Sequence, residues 1–119
     1  DATIDIHGDN NNLAGSQRNS SAGIYSEHQA TFNLYSDNNN VFWRQNTDGV
    51  KTVNLSTYND GNNVTGYQTG YATHTANITL NGSFPTTLSL EQKGGSAKSY
   101  SLSQNCQTSG GCNVSVVQQ

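Results

Sequence analysis

The chain has 119 residues, of which 31% are hydrophobic and 11% charged, with a formal net charge of −3. That length suits one domain; five Lys and Arg make no basic stripe for nucleic acid, and no apolar run approaches the ~20 residues of a membrane-spanning helix. Ordering a backbone costs about 1–2 kcal/mol per residue and large apolar side chains are scarce here, but low charge and clear period-2 alternation argue against a disordered polar chain.

The alternation is organised in five copies of one strand–turn–strand unit. Copy one spans residues 2–17, ATIDIHGDNNNLAGSQ. Its first arm sends Ile4 and Ile6 to one face, and its second arm sends Asn11, Leu13, Gly15 and Gln17 to the matching face. Residues 18–29 are too long for a simple turn and are expected to bulge out or to add a short strand at 23–26. Copy two, residues 30–45, offers Phe32 and Leu34, then Asn39, Val41, Trp43 and Gln45. Copy three, residues 51–68, offers Val53 and Leu55, then Asn62, Val64, Gly66 and Gln68. Copy four, residues 76–92, offers Ile78 and Leu80, then Thr86, Leu88, Leu90 and Gln92, with Pro85 inside its turn. Copy five, residues 98–118, offers Tyr100 and Leu102, then Cys112, Val114, Val116 and Gln118.

Strands rich in β-branched residues, with period 2 and turn residues between them, predict an all-β fold without helices. A fixed-frame repeat further predicts stacked units. If the copies stack in parallel as a β-solenoid of two sheets, Leu13, Val41, Val64, Leu88 and Val114 form an apolar column. The five glutamines then form a ladder, and Asn11, Asn39 and Asn62 form a second one. Trp43 falls between Gly15 and Gly66, a volume match that close packing needs. An antiparallel β-sandwich of hairpins is the alternative, but it gives no reason for such column matching.

Cys106 and Cys112 flank QTSGG. In a secreted protein they are expected to close this small loop as a disulfide; two cysteines are too few for a zinc site. The start at Asp1 without Met fits a processed secreted protein. Asp9, Asp37 and Asp60 recur at one turn, where a carboxylate row invites Ca²⁺, but one carboxylate per turn is sparse for six to eight oxygen ligands. Their expected role is turn formation. His7, His28 and His74 share no repeat position, lack metal-ligand spacing, and are expected to be solvated. Asn-x-Ser/Thr triplets at Asn19, Asn54, Asn63, Asn77, Asn81 and Asn113 permit glycans, the last five on the outward face. No catalytic motif or cofactor signature stands out, and the expectation is a protein that is not an enzyme.

The frame resembles the curlin repeat, the unit of curli-type bacterial functional amyloid, whose pattern runs Ser-x5-Gln-x-Gly-x-x-Asn-x5-Gln. Residues 11–17, 39–45 and 62–68 match its Asn-x5-Gln half, and Gly8 stands three before Asn11 as the pattern's glycine does. The pattern's first Gln survives only as Gln104, and its first Ser is replaced by Ala2, Ala30, Lys51, Ala76 and Lys98. The resemblance implies a β-solenoid, secretion to the bacterial surface, and self-assembly into fibres of a biofilm matrix. It also implies partners: copies of the chain joined through first and last repeats, with a nucleator and secretion or chaperone proteins. The expected function is therefore a secreted structural subunit. The alternative is a monomeric adhesin or carbohydrate-binding module using Tyr35, Phe42 and Tyr67; an ice-binding solenoid lacks the regular outward Thr arrays.

Overall fold

The computed structural model describes residues 1–19 and 27–119 and is all-β. Its strands are β1 (Ala2–Ile6), β2 (Asn12–Arg18), β3 (Gln29–Leu34), β4 (Asn40–Asn46), β5 (Lys51–Thr57), β6 (Asn63–Gln68), β7 (His74–Gly82), β8 (Thr86–Gln92), β9 (Lys98–Cys106) and β10 (Cys112–Gln118). The odd strands form one sheet in the order β1-β3-β5-β7-β9, and the even strands form the facing sheet in the order β2-β4-β6-β8-β10. Every pairing is parallel. The chain is thus a β-solenoid of about five rungs, each made of one odd strand and the even strand that follows it, and the antiparallel sandwich is excluded. The strand expected at residues 23–26 lies outside the described residues.

Two kinds of corner turn the chain between sheets. At the first corner Asp9-Asn10, Asp37-Asn38 and Asp60-Gly61 recur, with positive φ at Asn10 (56°), Asn38 (58°) and Gly61 (75°). Asn and Gly are the residues that tolerate this left-handed region. The second corner uses Thr47, Gly70 and Gly94 at positive φ. Thr47 is β-branched and ill suited to that region, but its hydroxyl accepts the Gly70 N–H at 2.8 Å and so ties two corners together.

The core is a set of columns between the sheets. In the even sheet, Leu13, Val41, Val64, Leu88 and Val114 stack in register, and so do Gly15, Trp43, Gly66, Leu90 and Val116. In the odd sheet the register differs from a simple alignment of the copies. Val53 and Leu55 stand beside Ala30 and Phe32, rather than beside Phe32 and Leu34. The columns are Ala2–Ala30–Val53–Ala76–Tyr100, Ile4–Phe32–Leu55–Ile78–Leu102, and Ile6–Leu34–Thr57–Leu80–Gln104. The first arms of copies three and five begin one inward position earlier, at Lys51 and Lys98, and this shift sets the offset.

Trp43 is 2% exposed and sits in register between Gly15 and Gly66. The ring leans to one side: a Cβ on Gly66 would lie 2.2 Å from Trp43 Cε3 and Cζ3, whereas a Cβ on Gly15 would meet only the Trp43 carbonyl, at 3.3 Å. Gly15 thereby leaves a cavity of about 190 Å³ at the rung-one end, bordered by Ala2, Ile4, Leu13, Phe32 and Trp43. The two glycines are therefore not equivalent. Gly66→Ala is expected to cost about 1–3 kcal/mol by overpacking and Gly15→Ala much less, as read from urea unfolding midpoints of the two variants.

Candidate functional site

Among the described residues no group of three or more His, Cys, Asp or Glu is placed to hold a metal ion, and no helix is long and apolar enough to cross a membrane. The groups that recur with structural regularity are side-chain amides. Gln17 Nε2 donates to Gln45 Oε1 at 2.7 Å, Gln45 to Gln68 at 2.9 Å, Gln68 to Gln92 at 2.9 Å and Gln92 to Gln118 at 2.8 Å. A primary amide has two N–H donors, and here the second crosses between sheets. Nε2 of Gln17, Gln45, Gln68, Gln92 and Gln118 reaches the carbonyls of Asp1, Gln29, Thr52, Thr75 and Ser99. Each glutamine thus links its rung to the next and one sheet to the other.

The asparagine ladder runs in the opposite direction. Asn39 Nδ2 and its backbone N–H both donate to Asn11 Oδ1, and Asn62 donates in the same two ways to Asn39 Oδ1. The Thr86 N–H closes the row on Asn62 Oδ1 at 2.8 Å. The Asn39 and Asn62 amides also close the corner of their own rung, Asn39 Nδ2 donating to Ser36 and Asn62 Nδ2 to Asn59, whereas Asn11 Nδ2 reaches the Ser36 carbonyl of rung two at 2.8 Å. In rung five these two corner positions are Cys106 and Cys112, joined as a disulfide. By register Cys112 continues the column of Thr86, and Cys106 that of Gly82. A covalent bond therefore replaces the amide contact that closes the corner elsewhere. The aspartates of this corner also act along the stack: Asp37 Oδ1 accepts the Asp9 N–H at 2.7 Å, and Asp60 Oδ1 accepts the Asp37 N–H at 2.9 Å.

The histidines depart from expectation. His7 is exposed and paired with Asp5 at 2.9 Å, but His28 and His74 are buried. They share a repeat position after all. Lys51, His74 and Lys98 stack in register, and His28 stands two residues before Ala30 as Lys51 stands two before Val53. This basic column fills the second corner. Lys51 Nζ donates to the carbonyls of Asp48, Gly49 and Ala72 at 2.7–3.0 Å. His74 Nε2 lies 2.8 Å from the Thr69 carbonyl, and His28 Nε2 lies 3.2 Å from that of Arg18. Burial pushes all three groups below their ordinary pKa; the carbonyl contacts oppose the shift at the histidines, and Asp48 opposes it at Lys51. The nearby charge of Lys51 reinforces it at both rings, with Lys98 adding to it at His74.

Copies of the expected core residues at the two ends are not covered. Ile4 is 56% and Ile6 43% exposed on rung one, and Leu13 there is only partly buried, as are Tyr100, Leu102, Val114 and Val116 on rung five. The exposed aromatics divide between the sheets. Tyr35 belongs with His7 and Tyr58 on the odd-sheet side, whereas Phe42 and Tyr67 pair across neighbouring even strands with ring centroids 5.7 Å apart. Tyr35, Phe42 and Tyr67 therefore do not form one platform. The Asn-x-Ser/Thr asparagines Asn54, Asn63, Asn77, Asn81 and Asn113 are all exposed. No known protein family matches the chain, and no curated protein or solved structure is significantly similar to it.

Two tests follow from the buried groups. Gln68→Leu strands the Gln45 N–H, the Trp43 indole N–H, the Gln92 Oε1 and the Thr52 carbonyl; each such orphan costs about 1–3 kcal/mol, so a loss of at least about 4 kcal/mol is expected in chemical denaturation. Gln17→Leu, at the exposed end, is expected to lose less than half of that. The second test is pH. Both buried rings have folded-state values below the ordinary 6.5, so the neutral ring is the folded form. Their contribution is complete above 6.5 and is lost as the pH falls below it, where the unfolded chain takes up protons that the folded chain does not. The urea midpoint is expected to fall between about pH 7 and pH 5, and His74→Gln to flatten that fall.

Proposed function

We propose that this chain is a secreted structural subunit that assembles end to end into an extracellular, curli-like fibre of a cell surface or biofilm. One observation carries the reading: among the described residues both terminal rungs present sheet edges with no further strand beside them, above an open apolar column, and their side chains are complementary. Sheet edges of this kind are templates for another chain, and solenoids stay monomeric by polar capping. Placing rung five of one molecule on rung one of the next continues each column. Tyr100 then stands on Ala2 and Leu102 on Ile4, Val114 stands on Leu13, and Val116 stands over Gly15, beside the cavity that Gly15 leaves. Large side chains meet small ones at two of the four positions. The glutamine ladder keeps its direction across the joint, with Gln118 Nε2 donating to Gln17 of the next molecule. The contact is heterologous, so it propagates as a filament rather than closing.

Sequence resemblance to curlin repeats supports the secreted, surface-fibre part of this reading, and the corner disulfide supports an oxidising compartment. A monomeric adhesin or carbohydrate-binding module is the second reading, favoured by the exposed Phe42–Tyr67 pair on the outer face of the even sheet. Electron microscopy and size-exclusion chromatography separate the two. Unbranched filaments are expected from the purified chain, whereas a monodisperse 12.7 kDa species at high concentration would refute assembly. Gly15→Leu fills the rung-one cavity and is expected to leave the β circular-dichroism spectrum intact while abolishing filament growth.

A further inference from the structure

We propose that Tyr35 and Tyr58 form an oxidative cross-linking site, at which a one-electron oxidant such as a haem peroxidase with hydrogen peroxide couples the two phenols into an intrachain dityrosine. Their rings stack with centroids 5.2 Å apart and planes 24° apart, and the row extends to His7, 5.5 Å from Tyr35. The placement is set by the backbone. Tyr35 N–H donates to the Thr57 carbonyl at 3.0 Å and Tyr58 N–H to the Leu80 carbonyl at 2.9 Å, continuing the odd-sheet ladder one residue past β3 and β5. Two neighbouring parallel strands therefore hold the two backbones side by side, and the side chains stack from there. Tyr35 is 42% and Tyr58 53% exposed, so an external oxidant reaches both. Exposure also leaves the rings room to swing from the stacked arrangement to the edge-on one in which ring carbons bond.

The other tyrosines of the described chain lack such a mate. Tyr67 has Phe42 beside it, Tyr71 is 74% exposed with no ring neighbour among the described residues, and Tyr100 is half-buried on the inward face. The chemistry balances without further co-reactants. Each phenol gives one electron and its hydroxyl proton to the oxidant, which reduces one hydrogen peroxide to two waters per pair of tyrosines. The two phenoxyl radicals join through their Cε carbons, forming one C–C bond. Each ring then moves its displaced hydrogen to oxygen and regains aromaticity, leaving a biphenol two hydrogen atoms lighter than the starting pair. The product fastens rung two to rung three and needs no assembly to form.

The test treats dilute native chain with horseradish peroxidase and limiting hydrogen peroxide, followed by intact mass, dityrosine fluorescence and peptide mapping. The expected result is a monomer two hydrogens lighter, carrying a 35–58 link. Tyr35→Phe and Tyr58→Phe, which keep a ring in the stack, are each expected to lose the intrachain product, and Tyr71→Phe to retain it. A link that persists in Tyr58→Phe, one that forms equally in urea-unfolded chain, or oxidation yielding only intermolecular products would each overturn the proposal.

Discussion

The structure depends on one constraint: a chain with few large apolar residues must bury many polar groups between two sheets and find partners for nearly all of them. The glutamine row meets it with a single residue type at a single position. The amides of Gln17, Gln45, Gln68 and Gln92 each spend one N–H along the stack and the other across it, and Gln118 accepts from below and donates across, so every rung fixes both its height and its distance from the facing sheet. A one-residue slip would turn every glutamine outward and leave the facing carbonyls without donors, because side chains alternate between faces. Register is therefore specified by polar contacts as strongly as by the hydrophobic columns. The same logic explains why parallel stacking suits this sequence. Only in a parallel stack do equivalent residues of successive copies meet, and only then does a repeated Gln find another Gln.

The first corner is one structural problem solved in several chemistries. Rung two closes it with Ser36 and Asn39, rung three with Asn59 and Asn62, and rung five with the Cys106–Cys112 bond. Rung four has Gly82 and Thr86 there, and the Thr86 hydroxyl finds no hydrogen-bond partner among the described residues. The second corner carries a different solution, in which the Lys51 ammonium donates to the loop carbonyls of Asp48, Gly49 and Ala72. These are substitutions within a fixed geometry: the copies diverge in residue identity and retain the position of each contact.

Much of this was legible in the sequence. The strands, the corners, the parallel stack and the even-sheet columns follow from period-2 alternation and the constant spacing of Asn to Gln, which leaves the second arms little freedom. The first arms carry no such anchor, and their lengths differ. Aligning them by their first apolar residue misplaces Val53 and Tyr100 by one inward position. The same misalignment hides the basic column. With Lys51 read as the start of a copy, nothing links it to His28 and His74, and isolated histidines in a polar chain look solvated. The available signal was a basic residue two positions before the first core residue, at His28, Lys51, His74 and Lys98. It was obscured because buried cations run against composition, and loop carbonyls as their partners are invisible without coordinates. The lean of Trp43 toward Gly66 likewise has no trace in the sequence, where the two flanking glycines look alike.

The opposed directions of the two amide rows bear on electrostatics over long distances. In an α-helix aligned peptide dipoles add into a macrodipole, with about half a charge at each end. A stack held by a single amide row would likewise carry partial charges of opposite sign at its two ends. Here the glutamine row points from rung one to rung five, and the asparagine row points back. The two fields oppose each other over the first three rungs, where both rows run. An outer row, in which Asn12 donates to Asn40 and Asn40 to Asn63, points with the glutamines, so the opposition is partial and each molecule keeps a net amide dipole directed along the glutamine row.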